Sequence, residues 1–251
     1  DNSNPTSLDN IVGQQRDWLN SPYAGQYFAS QLKAMSRALR QVAAPSTLVL
    51  GYLLDVEEIA KLELPIVFKV EAESGIEPGQ FSVVVADLEA LPFPQDCFDT
   101  VILAHALENS SSPHSILREA SRVLKPEGHL VLTGFNPYSL VGLQRKLGMR
   151  AVPRGTSYPS RRIIDWLELL EFEVVGSSMH QYGPLTRSKR LKRPLRFMEN
   201  VGDRWFPLLG GGYVLTAKKR QAGVTLIGKL SGAKLRPKIA TAPARTSLKN
   251  R

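Results

Sequence analysis

Five short apolar runs, separated by stretches of helical or turn character, constrain this chain more than any other feature. The first is Thr47-Leu48-Val49-Leu50-Gly51; the others occupy residues 66–70, 81–85, 100–104 and 129–133. The runs are apolar at nearly every position rather than at alternate ones, which is the pattern of strands covered on both faces. Strands of that kind alternating with helices indicate an α/β fold around a parallel sheet. The helices are legible as well. Phe28, Leu32, Met35, Leu39 and Val42 recur at spacings of four and three, predicting a helix from near Ala24 to just before Pro45. Between the fourth and fifth runs, Ser112 is a candidate cap, Pro113 suits the first turn, and Ile116, Leu117, Ala120, Val123 and Leu124 make one stripe. Residues 125–128 then end that helix and turn the chain. A short helix is expected over 140–147, and another over 160–170 with Ile163, Ile164, Leu167 and Leu170 on one side. Residues 172–176 and 213–217 read as two last strands.

A chain of 251 residues is long enough for one domain with extensions. The organisation expected is an N-terminal helical extension over 1–44, with loose residues 1–9, a domain over 45–220 and a basic, disordered tail over 221–251. No apolar run approaches the roughly 18 residues that a membrane span requires. The single cysteine, Cys97, excludes an intrachain disulfide, fits a reducing cytoplasm and reads as inert packing. No metal-ligand spacing, P-loop or Ser/His/Asp arrangement is present. Charge is unevenly placed. From Arg187 onward there are 17 Lys and Arg against Glu199 and Asp203, a net +15, while residues 1–186 carry −6. Such a block fits a polyanionic partner, nucleic acid or an anionic membrane surface, and it also reads as a solvated tail. Within it, Arg187, Lys189, Arg190, Lys192, Arg193 and Arg196 alternate with Leu191, Leu195 and Phe197.

In open α/β sheets, ligands bind beyond the carboxyl ends of the strands, where strand order reverses. Glu71 follows the second run, Asp87 the third and Ala104-His105 the fourth. An acid after the second strand can accept hydrogen bonds from ribose hydroxyls, and one after the third from an exocyclic amine. Each also reads as a solvated strand end. His105 has two readings: a general base or cofactor contact, or a structural residue in a hydrogen-bonded pocket. With no partner visible in the sequence, the structural or cofactor-contact reading carries more weight. Residues 135–140, Phe-Asn-Pro-Tyr-Ser-Leu, read equally as pocket lining or as a packed loop.

Asp87-Leu88-Glu89-Ala90-Leu91-Pro92-Phe93-Pro94, followed by Phe98-Asp99-Thr100-Val101, resembles the hallmark of type 11 S-adenosylmethionine-dependent methyltransferases. Glu108, Pro113 and the stretch Leu117 to Gly128 continue that pattern in register. The resemblance implies a Rossmann-like class I methyltransferase fold: a mostly parallel seven-stranded sheet, helices on both faces, and an antiparallel last strand. It implies S-adenosylmethionine as cofactor, with Gly51 in the first loop, Glu71 on the ribose, Asp87 and Leu88 along the adenine, and Ala104 and His105 facing the methionine portion. Asp99 would be a structural acid. One segment departs from the pattern. The first loop reads Val49-Leu50-Gly51-Tyr52-Leu53-Leu54-Asp55, so one of three glycines remains and Val49 stands where the family has an acid. The interval from Glu71 to Asp87 is also short for the usual helix. The function expected is methyl transfer to an unidentified acceptor. The competing reading is a non-catalytic relative that binds RNA or anionic lipid through its basic C-terminal region.

Overall fold

The structure is a computed structural model that describes residues 18–19, 21–42, 45–51, 56–71, 82–149, 152, 155–186 and 208–220. The expectations for residues 1–9, Phe81, the loop 52–55, the basic run 187–197 and the tail 221–251 lie outside these. In chain order the elements are α1 (Pro22–Leu39), β1 (Thr47–Leu50), α2 (Val56–Ala60), β2 (Val67–Glu71), β3 (Ser82–Val85), β4 (Phe98–Ala104) and α3 (Pro113–Val123). There follow β5 (Leu124–Phe135), α4 (Leu140–Lys146), α5 (Ser160–Leu169), β6 (Phe172–His180) and β7 (Gly212–Lys219).

The strands form one sheet in the order β3-β2-β1-β4-β5-β7-β6. The first five pair in parallel, and β7 runs antiparallel between β5 and β6. Side-chain alternation explains why both faces are apolar. Leu48, Leu50, Val101, Leu103, Leu130, Leu132 and Leu215 point to one face, where Ile116, Leu117 and Ala120 of α3 and Ile163, Trp166 and Leu167 of α5 cover them. Their neighbours Val49, Ile102, Ala104, Val131 and Val214 point to the other, against Ala34, Met35 and Leu39 of α1 and Ile59 of α2. The period-two strand pattern thus feeds two cores.

Local chemistry sets the element ends. Ser21 precedes Pro22 and its hydroxyl accepts from the Ala24 amide, starting α1. The buried stripe of α1 is broader than the apolar spacing predicts. It includes Tyr27, Gln31 and Ala34, while Leu32 is half-buried and Val42 falls in a turn after the helix. Ser112 precedes α3 but its hydroxyl makes no capping bond; its amide instead donates to Ser110 Oγ at 2.8 Å. Leu124, expected as the last residue of the α3 stripe, is already extended and opens β5.

Asp99 ties the lower ends of β1 and β4 together. Its Oδ2 accepts from the amide and hydroxyl of Ser46, and its Oδ1 accepts from Lys125 Nζ at 2.8 Å. Burial pushes this carboxyl up, but the bonds from Lys125 and Ser46 outweigh it and hold it below the usual carboxylate range. Asp99→Ala should destabilise the protein by about 1–3 kcal/mol, because a partly buried acceptor of three donors is lost. Urea unfolding should show a lower midpoint at an unchanged slope.

Candidate functional site

Strand register brings the predicted positions to one level of the sheet. Leu50 pairs with Val70 on one side and Leu103 on the other, so Gly51 stands level with Glu71 and Ala104 at the carboxyl edge. Glu71 pairs in turn with Val85, two residues before Asp87. β1 lies between β2 and β4, and here strand order reverses. Gly51 has φ of +124°, and a Cβ at this position would collide with the Ala104 carbonyl. Only glycine meets both demands, a left-handed backbone and close approach to β4. Asp87 is exposed, with Oδ1 accepting from the Glu89 amide at 2.9 Å, and Leu88 behind it is buried. The loop that follows is fastened to α3. Glu119 accepts from the Leu91 amide, while Arg122 donates to Glu119 and to the carbonyls of Leu91 and Phe93.

His105 ends β4 with φ of +55° and is fully buried. The left-handed turn directs its ring into the protein, where both nitrogens have partners. Nδ1 lies 3.1 Å from Glu108 Oε2 and Nε2 lies 3.0 Å from Gln31 Oε1. Gln31 also donates to Thr133 Oγ1, which accepts from the His105 amide. Glu108 accepts from the Phe135 amide at 2.6 Å, and its other oxygen lies 3.9 Å from Arg145 Nη1. The guanidinium of Arg145 sits over the Phe135 ring and donates to Ser157 Oγ. His105 is therefore one member of a buried network joining α1, β4, β5 and α4. With both ring nitrogens engaged, its geometry suits positioning better than proton abstraction.

Sequence reasoning missed most of this network. Gln31, Thr133 and Arg145 lie far from His105 in the chain, and Gln31 sits inside an apolar stripe. Glu108 alone left a signal, standing three residues after His105 in the methyltransferase-like pattern. A second polar group lies beside it. His180 is buried with Nδ1 3.1 Å from Ser30 Oγ, and its Nε2 and the Tyr27 hydroxyl have no hydrogen-bond partner among the described residues. Both atoms press on the α-carbon of Gly212, where any Cβ would collide with them. Burial raises the Tyr27 hydroxyl well above its ordinary value, with Glu108 adding to the effect, so it stays protonated. Among the described residues no group of His, Cys, Asp or Glu is placed to hold a metal ion, and no helix is long and apolar enough to cross a membrane.

This edge geometry can be set beside known proteins. Residues 52–132 match the family described as "Methyltransferase domain", type 11. That stretch of the chain resembles the family's domain. Over 171 residues the chain is 37% identical to the uncharacterized protein YafS of Escherichia coli (strain K12), covering 65% of each chain. Over 75 residues it is 41% identical to the demethylmenaquinone methyltransferase of Chlamydia muridarum (strain MoPn / Nigg), covering 29% of this chain and 33% of that one. Each match spans less than two thirds of the relative's own length. A solved S-adenosylmethionine-dependent methyltransferase of Thermotoga maritima superposes with a TM-score of 0.61 at 14% identity, covering 85% of this chain and 98% of that one. The seven-stranded sheet, with its one antiparallel strand, is thus the Rossmann-like methyltransferase fold expected from the Asp87–Gly128 pattern.

The second buried histidine gives a pH test. His180 is lowered to about 3, first by burial and then by the charge of His105. An unfolded histidine titrates near ~6.5. Below that value the unfolded chain takes up a proton that the folded chain excludes. The stability is therefore complete above about pH 6.5 and is lost as pH falls toward 3, at up to ~1.4 kcal/mol per unit. His180→Gln should remove about 2 kcal/mol of the stability lost between pH 7 and pH 5. Urea unfolding at the two pH values reads this; equal losses in both proteins would refute it.

Proposed function

We propose that this protein transfers a methyl group from S-adenosylmethionine to an acceptor that the sequence does not identify. The observation carrying this reading is the convergence of Gly51, Glu71, Ala104 and, just beyond them, Asp87 on the carboxyl edge where strand order reverses, in a methyltransferase-like fold. The residues suit the cofactor's chemistry. Gly51 brings the end of β1 against Ala104 at the switch point, Asp87 presents an exposed carboxylate, and Leu88 supplies an apolar floor. On this reading Asp87 accepts the adenine amine, Glu71 takes the ribose hydroxyls, and the Ala104-His105 backbone borders the methionine portion. When bound, S-adenosylmethionine supplies an electrophilic methyl carbon. The chain's own task is to bind, orient and exclude water, so that rate comes from alignment.

His105 acts by holding the end of β4 to α1 and β5, not by taking a proton. Residues 45–220 then form the catalytic domain, residues 1–44 the extension whose helix closes one face, and 221–251 a basic tail. Isothermal titration should detect S-adenosylhomocysteine, and Asp87→Ala should weaken it roughly tenfold, the worth of one lost hydrogen bond to a charged group. No heat and no thermal shift at saturating ligand would remove the reading.

The competing reading keeps the fold and drops the chemistry, because the loop after Gly51 lacks two of the family's glycines. The net +15 from Arg187 onward then serves a polyanion, RNA or anionic lipid. RNA retention that falls steeply with salt and is lost on truncation after Arg220 would support it. Charge-independent behaviour at low salt would exclude it.

A further inference from the structure

Of eleven large apolar side chains exposed among the described residues, seven belong to the segments flanking Asn136 at the carboxyl edge. On α4, Leu140, Leu143 and Leu147 follow at spacings of three and four, on the side opposite buried Val141. Leu147 is 64% exposed, and Tyr138, just before the helix, 68%. Met149 extends the stripe past the helix end. Asn136 brings in a second segment, its side-chain amide donating to the carbonyls of Leu208 and Gly210, so that exposed Leu208 and Leu209 join this edge. The remaining four exposed apolar residues, Ile66, Val85, Leu169 and Val175, are spread over separate elements. Concentration of this kind marks an interaction surface, whereas single exposed residues do not.

The exposed cations of this stretch, Lys146, Arg161 and Arg162, have no acid among them, since residues 137–162 contain none. We infer that this face docks on an anionic lipid bilayer, with the leucines entering the headgroup boundary and the cations pairing with lipid phosphates. Both halves of the pattern are needed for that partner. RNA gains from the cations but not from a stripe of exposed leucines, and a neutral protein partner gains from the leucines but not from the exposed cations beside them. The face leaves β5 at Asn136, on the same sheet edge as His105 and Phe135. Docking therefore sets that edge toward the bilayer, and this holds whether or not the protein transfers methyl groups.

Co-sedimentation of the full chain with vesicles tests the inference, comparing pure phosphatidylcholine with phosphatidylcholine that contains phosphatidylglycerol. The protein should sediment with the anionic vesicles and much less with the neutral ones. The double variant Leu143→Ser, Leu147→Ser leaves every charge in place, including those of the tail, and should lower the partition roughly tenfold or more. Leu169→Ser, an exposed leucine on α5, should leave it unchanged. Circular dichroism on each variant shows that the fold is kept. Unchanged sedimentation of the double variant means attachment by charge alone and overturns the inference. So does absence of sedimentation, or capture of single-stranded RNA that is sensitive to the same two substitutions.

Discussion

The contact between the α-carbon of Gly51 and the carbonyl of Ala104 is what the rest of the carboxyl edge depends on. It lets β1 and β4 run level to their last residues where the strand order reverses. A Cβ at position 51 would push β4 away, and with it His105, whose ring anchors Gln31 of α1 and Glu108 of the following turn. Backbone proximity at one glycine and a polar network at one histidine are therefore a single construction. The same contact explains why glycine is required at position 51. Its role is fixed by the packing of two strands, independently of any ligand.

The central block was legible in the sequence because its conspicuous residues hold the fold together. Glu119 and Arg122 grip the loop after Leu88 through the amide of Leu91 and the carbonyls of Leu91 and Phe93, and Asp99 joins the start of β4 to Ser46 and Lys125. Such bonds demand fixed residue types at fixed spacings, and that produces a pattern. The two-sided apolar strands were equally plain, since burial on both faces leaves no room for polar alternation.

The polar network was not legible, for a physical reason. Gln31 lies on the buried side of an amphipathic helix, and nothing local distinguishes a glutamine that meets a histidine from one that faces water. Its partners Thr133 and His105 are 102 and 74 positions away. Spacing could not reveal a contact made by tertiary packing. The position of the family's missing acid is clear only in three dimensions as well. Val49 is buried among Met35, Ile59 and Ile102, where an unpaired carboxylate would lose its hydration with no cation to replace it.

These constraints bear on what chemistry the edge can support. Both His105 nitrogens are occupied, Glu108 already serves His105 and the Phe135 amide, and the Tyr27 hydroxyl is held protonated by burial. For His105 to accept a proton from an acceptor, its bond to Gln31 or Glu108 would first have to break. Breaking the Glu108 bond would take one of two close partners from a buried carboxylate, leaving the Phe135 amide at 2.6 Å and Arg145 at 3.9 Å. The less costly bond to break is the one to Gln31, which would loosen α1 from the end of β4. An acceptor that needs no base, because its nucleophile is already strong, avoids that disruption and lets the edge work by alignment alone.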